Sequence, residues 1–157
     1  MLPSKFFVQK LDIRKICLKK DIDDALNLAF KTFIKCNSED CNAQGFAYIS
    51  DFLKNKETVN KLDFYATFIK GEIVGMIAFG YNPLHISLFF VEENYQGLKI
   101  GNKLFNFAIQ NIKEKYIWGK SSTLAVKFYE KLGFVIVDSP EIKNGLKSTL
   151  MKYEFLG

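Results

Sequence analysis

The stretch that decides the fold reads FFVEENYQGLKIG and covers residues 89–101. The apolar run at residues 85–91 has the composition of a buried strand, and a short polar loop, residues 92–96, follows it. Two glycines, Gly97 and Gly101, accompany the start of a helical pattern. The first backbone N–H groups of a helix lack intrahelical acceptors and carry the positive end of its dipole, so they can bind a diphosphate. The two glycines alone also fit an ordinary strand-to-helix turn.

Composition places the chain among globular proteins. It has 157 residues, of which 48% are hydrophobic, 15% aromatic and 25% charged, which is too apolar for a disordered chain. The longest nearly unbroken apolar run, residues 73–81, is far shorter than the roughly 20 residues of a membrane-spanning helix. We therefore expect one domain over residues 1–157, with residues 1–10 as a variable N-terminal extension, and no membrane partner.

The net charge of +5 is carried almost entirely by lysine, since Arg14 is the single arginine. A positive balance allows an anionic partner, such as a nucleotide cofactor or a nucleic acid. Lysine lacks the bidentate guanidinium of sequence-specific DNA readers, so that class loses support. An RNA-binding domain stays an alternative because residues 88–91 form an aromatic strand. Those aromatics lie in a continuous apolar run suited to burial, whereas a stacking platform needs alternate exposed positions.

The cysteines indicate neither a metal site nor a disulfide framework. Cys17, Cys36 and Cys41 form no C-x-x-C pair, and the single histidine, His85, is distant from them in sequence, so we expect no metal. Lysines interrupt the first twenty residues, which leaves no apolar core for a secretory signal. We expect a cytoplasmic protein with reduced thiols.

The apolar periodicity predicts seven strands and four helices in a mixed sheet with helices on its faces. The strands are predicted at residues 11–17, 64–70, 73–79, 85–91, 116–118, 134–137 and 146–155. The helices are predicted at residues 22–33, 43–53, 100–112 and 124–132. Asp21 is the expected N-cap of the first helix, Lys113 follows the third, and Gly133 ends the fourth. Gly71-Glu72 has the glycine-first pattern of a type II′ hairpin turn.

Two segments resemble motifs of the GNAT superfamily of N-acetyltransferases. Residues 95–101, YQGLKIG, resemble the acetyl-CoA pyrophosphate loop, Gln/Arg-x-x-Gly-x-Gly/Ala, with Lys99 at the place of the middle glycine. Residues 125–134, AVKFYEKLGF, resemble the late helix of the family, A-x-x-[FL]-Y-x-x-x-G-F. Ser122 stands where the family usually has asparagine. The two motifs occur in the expected order and separation, and the resemblance extends from Leu11 to the end of the chain.

This resemblance implies a GNAT-like α/β (mixed α+β) fold. Its sheet would have six or seven mostly antiparallel strands, and two central strands would splay apart to admit the pantetheine arm of acetyl-CoA. Phe89 and Val91 would contact the arm through main-chain groups, and the amides of residues 97–102 would bind the diphosphate. The implied coenzyme-binding residues are Phe89, Phe90, Val91, Gln96, Gly97, Leu98, Lys99, Ile100, Gly101, Asn102, Ser122, Ala125, Phe128 and Tyr129.

Acetyl transfer to an amine needs a base, a polarised carbonyl and a proton for the leaving thiolate. A backbone N–H near Val91 can polarise the carbonyl. Tyr129 is the expected proton donor, although a tyrosine at this spacing also fits simple packing against the sheet. His85 occupies the position where the histone-modifying branch has its carboxylate base, and imidazole accepts protons near neutral pH. A structural role for His85 stays open, as does a water-mediated base role for Glu92 or Glu93.

The sequence thus indicates an acetyl-CoA-dependent N-acetyltransferase that acts by direct transfer to a primary amine. We expect it to be a monomer or homodimer without a nucleic-acid partner. A non-catalytic acyl-CoA-binding module of the same fold is the main alternative, motivated by Lys99 and Ser122. The acceptor is not predicted. The aromatic residues of the first two helices fit either the core or an acceptor pocket, and they are Phe30, Phe33, Phe46, Tyr48 and Phe52.

Overall fold

Eight strands form one sheet in the computed structural model, which describes residues 11–36 and 38–156 without the side chains of Cys36 and Ser38. The expected N-terminal extension, residues 1–10, lies outside the described residues. The strands are β1 (Asp12–Ile16), β2 (Asp63–Ile69), β3 (Glu72–Gly80), β4 (His85–Val91), β5 (Tyr116–Ser121), β6 (Val135–Ile136), β7 (Glu141–Lys143) and β8 (Leu146–Glu154). The helices are α1 (Lys19–Cys36), α2 (Ala43–Lys54), α3 (Lys56–Asn60), α4 (Ile100–Ala108) and α5 (Val126–Leu132). One-turn 3₁₀ segments lie at Ser38–Asp40, Glu93–Tyr95 and Thr123–Ala125.

The sheet order is β1-β2-β3-β4-β5-β8-β6, with β7 paired to β8. Every pairing is antiparallel except that of β4 with β5, which is parallel and covers only two residue pairs, His85 with Trp118 and Ile86 with Gly119. The two central strands therefore separate after Ile86, and the predicted splay is confirmed. The sheet has eight strands rather than six or seven, because exposed β7 lies in a segment that was predicted as a loop around Pro140.

Helices cover both faces of the sheet, as predicted. Alternate residues of β3 point to opposite faces: Met76 and Ala78 belong to one buried cluster, Ile77 and Phe79 to the other. The first cluster packs beneath α1, α2 and α3 through residues such as Ala25, Leu28, Ala29, Phe52, Leu53 and Val59. The second packs beneath α4 and α5 through residues such as Leu104, Phe105, Ala108 and Tyr129. Of the helices in residues 11–36 and 38–156, none is both long and apolar enough to cross a membrane.

Two predicted helix boundaries were wrong. Helix α1 begins at Lys19, so Asp21 lies in its first turn instead of capping it. Lys19 and Lys20 pair with Asp23 and Asp24 at i,i+4 spacing, and these ion pairs support the earlier start. Helix α4 ends at Ala108 rather than near residue 112. The apolar pattern misled because residues 109 and 112 still pack against the core from a non-helical turn.

The turn between β2 and β3 also differs from its prediction. Ile69 pairs with Glu72, so the turn residues are Lys70 and Gly71 rather than Gly71 and Glu72. Lys70 and Gly71 both have positive φ values, 51° and 79°. This is the type I′ arrangement that suits the twist of a tight hairpin. The predicted stop at Gly133 is confirmed, since this glycine follows α5 with φ of 114°.

The start of α2 is fixed against the turn between β7 and β8. The Asn42 side chain accepts from the Gly45 N–H at 3.0 Å, and the Asn42 N–H donates to the Gly145 carbonyl at 3.2 Å. A Cβ placed on Gly45 would lie 2.3 Å from the Gly145 carbonyl oxygen. Glycine is therefore required inside this helix, where it otherwise weakens the helical pattern.

Gly45→Ala should lower the free energy of unfolding by about 2 to 3 kcal/mol. The added methyl group overlaps backbone atoms of Gly145, and overpacking outweighs the gain of about 1 kcal/mol in helix propensity. Urea denaturation measures the difference. Gln44→Ala, an exposed change in the same turn, is the control and should shift stability by less than about 0.5 kcal/mol. Equal or greater stability of the Gly45 variant would contradict this packing.

Candidate active site

The gap between β4 and β5 exposes main-chain groups of β4. The Glu92 N–H donates to Val74 on β3 at 2.8 Å. Because hydrogen-bonding directions alternate along a strand, the peptide groups of Phe89 and Val91 face the opposite way, toward β5. After Ile86, β5 is too distant to pair with them. The predicted main-chain contacts thus lie at an open strand edge inside the sheet.

A β-bulge in β4 explains why this strand pairs with β5 up to Ile86 and not beyond it. Ala78 pairs with Leu88 and Phe79 pairs with Ile86, which leaves Ser87 as an extra residue without a partner on β3. Before the bulge, Leu84 accepts from the Trp118 N–H of β5 at 3.1 Å. A bulge bends its strand and redirects the groups that follow it. The bulge at Ser87 therefore marks where β4 leaves β5 and the gap begins.

Helix α4 begins beside the wide end of the gap with no side-chain cap. Its N-cap residue is Lys99, and the Lys103 N–H donates to the Lys99 carbonyl at 3.1 Å. The N–H groups of Ile100, Gly101 and Asn102 precede that first helical hydrogen bond and can donate hydrogen bonds to an anion. The start at Ile100 agrees with the predicted helix at residues 100–112. The Gln96 side chain holds the loop by donating to the Val91 carbonyl at 2.9 Å.

Lys99 adopts the left-handed backbone conformation, with φ of 63° and ψ of 17°. Gly97, two residues earlier, also has a positive φ of 80°. The loop therefore keeps the backbone shape expected of a glycine at position 99 and accepts strain at a lysine. The exposed Lys99 side chain caps no helix amide.

Lys99→Gly should raise the free energy of unfolding by about 0.5 to 1 kcal/mol, because glycine relieves the left-handed strain. Lys103→Gly is a matched control, since it makes the same exchange at a position inside α4. There the added backbone freedom should lower stability by about 1 kcal/mol. Chemical denaturation of both variants measures the two signs. A loss of stability at position 99 equal to that at position 103 would contradict the strain.

Close packing joins the start of α4 to α5. A Cβ placed on Gly101 would lie 2.8 Å from the ring tip of Phe128, so a side chain at position 101 would have to displace that ring. Phe128 meets the ring of Phe89 edge-on, with centroids 5.5 Å apart. Ala125 is half-buried in the same cluster, and Ser122, also half-buried, precedes the 3₁₀ segment without capping it. The late-motif residues thus lie along the α4 side of the gap.

Tyr129 lies in this aromatic cluster, with 7% of its surface exposed. Its ring meets Phe89 and Phe134 edge-on at centroid distances of 6.1 and 5.1 Å. Burial disfavours the phenolate and raises the Tyr129 pKa well above its usual range. The hydroxyl therefore stays protonated at neutral pH and cannot act as a base.

His85 is held by both ring nitrogens at the narrow end of the gap. Its Nδ1 lies 2.8 Å from the Pro83 carbonyl oxygen, which can only accept, so Nδ1 carries a proton. Nε2 lies 3.0 Å from the Ser87 hydroxyl. In the neutral ring Nε2 is the basic nitrogen, and Ser87 donates to it. The Pro83 carbonyl thus orients the ring. The sequence showed no carboxylate that could do so.

A cavity of about 590 Å³ opens beside His85, and we refer to it as the His85 cavity. Its aromatic walls are Phe33, Tyr48, Phe52, Phe90 and Trp118, and its polar walls include Asp40, His85, Ser87, Lys120, Ser122, Lys143 and Lys147. Phe30 and Phe46 pack on each other instead, with centroids 5.8 Å apart. Five aromatic residues of the first two helices were expected in either the core or an acceptor pocket, and three of these five line the His85 cavity.

A comparison with protein-family models matches residues 35–155 to the acetyltransferase (GNAT) domain. The chain belongs to this family. Among solved structures, a GCN5-related N-acetyltransferase from Rhodopseudomonas palustris has a TM-score of 0.77 at 16% identity, and the match covers 94% of this chain and 97% of that one. The comparison with curated protein sequences gives no match.

Two other similar structures contain coenzyme A. The PaiA N-acetyltransferase from Thermoplasma acidophilum, in complex with coenzyme A, has a TM-score of 0.69 at 18% identity, covering 94% of this chain and all of that one, 100%. An aminoglycoside 6′-N-acetyltransferase complexed with coenzyme A has a TM-score of 0.66 at 14% identity, covering 93% and 98%. At these identities the likeness supports the GNAT fold.

Two features of the site were missed in the sequence. Ser87 lies two residues from His85 on the same strand, and this spacing was an available signal. Asp40 gave no signal, because its partner is 83 residues away. Its carboxylate accepts from the Thr123 N–H at 2.7 Å and from the Thr123 hydroxyl at 2.8 Å. This contact ties the segment between α1 and α2 to the start of the late motif.

The remaining candidates lie away from the His85 cavity. Glu92 accepts from the Asn94 N–H at 2.8 Å, and Glu93 pairs with Lys35 at 3.3 Å. Cys17 and Cys41 are free thiols. No group of three or more potential metal ligands among histidine, cysteine, aspartate and glutamate occurs in the part of the chain that the structure describes.

Proposed function

We propose that this GNAT-family protein is an acetyl-CoA-dependent N-acetyltransferase that transfers acetyl directly to a primary amine. The observation that carries the proposal is the arrangement along β4. Uncapped amides of α4 lie at one end, the Phe89 peptide groups and the Val91 N–H face the gap in the middle, and His85 faces a cavity at the other end. Coenzyme A in two similar structures supports the proposed donor.

In the proposed complex, the amides of Ile100, Gly101 and Asn102 bind the diphosphate, and Lys99 and Lys103 add positive charge beside it. The gap between β4 and β5 takes the pantetheine arm, which meets the Phe89 and Val91 peptide groups. Gly97 and Leu98 let the loop pass close to the phosphates, while Gln96 fixes the loop to β4. Ser122, Ala125 and Phe128 form the facing side.

The chain supplies three groups for the transfer. His85 Nε2 takes a proton from the attacking amine as the new carbon–nitrogen bond forms, after the Ser87 O–H has rotated away from Nε2. The Phe89 N–H polarises the thioester carbonyl from the open edge of β4. Tyr129 gives its proton to the thiolate released when the carbon–sulfur bond breaks. Its hydroxyl carries a proton at neutral pH, so the proton is available to the departing sulfur.

The bases named as alternatives and a nucleic-acid partner receive less support. Glu92 and Glu93 are engaged on the loop, away from the lining of the His85 cavity. Phe89 and Phe90 pack into opposite core clusters, where they cannot form an exposed platform for stacked bases.

Thiol release from acetyl-CoA over a panel of amines tests the proposal, with acetyl-CoA binding measured by calorimetry in parallel. We expect binding, and amine-dependent thiol release with at least one acceptor. Binding without turnover on every amine would favour the non-catalytic acyl-CoA-binding module. Absence of binding would contradict both.

A further inference from the structure

Three lysines surround the His85 cavity: Lys120 on β5, Lys143 at the end of β7, and Lys147 at the start of β8. All three side chains are exposed at the cavity rim. None of them forms an ion pair with another residue in the described ranges, 11–36 and 38–156. Two separate parts of the chain thus bring uncompensated positive charge to the same opening.

The one acidic residue among the described residues lining the cavity, Asp40, offsets only one of these three positive charges. Asp40 has both carboxylate oxygens engaged, since they accept from the N–H and the hydroxyl of Thr123. The lysines are also separate from the proposed diphosphate site, because residues 96–102 do not contribute to the cavity lining. The positive charge therefore faces whatever enters beside His85.

Aromatic side chains, including Phe33, Phe52, Phe90 and Trp118, form much of the interior wall. Such a lining gains free energy by removing an apolar ligand surface from water. A polycationic amine would gain little from these walls and would be repelled by the lysines at the rim. The cavity combines an apolar interior, a basic group at His85 and a positive rim.

We propose that the acceptor is a primary amine with an apolar side chain and a carboxylate, as in an aromatic α-amino acid; this inference rests on the proposed function. The lysines at the rim attract the carboxylate, and the aromatic walls contact the apolar side chain of the acceptor. The same positive charge disfavours the ammonium form of the bound amine. The neutral nucleophile is therefore easier to form beside His85.

The fluorescence of Trp118 allows a test that needs no turnover, because Trp118 is the single tryptophan and lines the cavity. The probes are L-phenylalanine and L-phenylalaninamide, which have nearly the same shape but differ in the carboxylate charge. We expect L-phenylalanine to bind at least about tenfold more tightly than L-phenylalaninamide. This difference in affinity should shrink in about 0.5 M NaCl, because salt screens exposed charges.

Lys120→Gln, Lys143→Gln and Lys147→Gln should each weaken L-phenylalanine binding about three- to tenfold and leave L-phenylalaninamide binding unchanged or stronger. Lys113→Gln, an exposed lysine outside the cavity lining, is the matched control and should change neither affinity. Equal binding of the two probes, tighter binding of the amide, or no binding of either at millimolar concentration would overturn the acceptor class.

Calorimetry with coenzyme A separates this inference from the proposed function. The three lysine variants should bind coenzyme A as the native protein does. If the native protein fails to bind coenzyme A, the proposed function is overturned. If it binds coenzyme A but prefers L-phenylalaninamide, only the acceptor class is overturned.

Discussion

Tyr129→Phe is expected to lower kcat about 100- to 1,000-fold while leaving the acetyl-CoA dissociation constant within about twofold. The substitution removes only the hydroxyl, so the edge-on contacts with Phe89 and Phe134 are retained. Positioned proton donors contribute about 10²- to 10⁴-fold to rates. Steady-state thiol release gives kcat, and calorimetry gives the affinity.

Tyr153→Phe is the matched control for this change. Tyr153 lies in the same aromatic cluster, with its ring 5.4 Å from that of Phe134, but it belongs to β8 and is away from the gap. Its variant should retain kcat within about twofold. An unchanged kcat in the Tyr129 variant, measured with an acceptor that the native protein uses, would remove the proton-donor assignment.

His85→Ala should lower kcat/KM about 100-fold near neutral pH and flatten the acidic limb of the pH–rate profile. The native limb reports protonation of the base, and the variant has no imidazole to protonate. Rates measured from about pH 5.5 to 9 would resolve the limb. A native-like acidic limb in the variant would clear His85 of the base role.

Ser87→Ala distinguishes the base from its support. It removes the hydroxyl near His85 Nε2 but leaves the Nδ1 contact with Pro83, which still orients the ring. We expect a loss of only about three- to tenfold in kcat/KM, with the acidic limb retained. A loss as large as that of the His85 variant would place the essential group at Ser87.

Local pattern was sufficient for most of the fold. The apolar runs at β3 and β4 are long, and α4 is strongly periodic. The pattern of apolar residues was therefore enough to predict which of these segments are strands and which is a helix. The two family motifs then indicated which loop precedes the candidate diphosphate site and which helix carries Tyr129. The left-handed Lys99 could not be read from spacing, because only the backbone of a folded loop reveals that a lysine holds a glycine conformation.

Features that depend on distant contacts were not predictable. Asp40 meets Thr123 across 83 residues, and Gly45 is explained only by the approach of Gly145. The turn at Lys70 and Gly71 depends on strand register, which a two-residue glycine pattern does not fix. The positive rim of the His85 cavity likewise forms only when the hairpin of β7 and β8 is brought beside β5.

Calorimetric comparison of coenzyme A with pantetheine tests the central claim most directly, because pantetheine keeps the arm and thiol but lacks the diphosphate and the adenosine 3′-phosphate attached to it. If the first-turn amides of α4 bind the diphosphate, coenzyme A should bind at least about 100-fold more tightly than pantetheine, as expected from two or three charge-assisted hydrogen bonds. Equal affinities for the two compounds, or no binding of coenzyme A, would contradict the account.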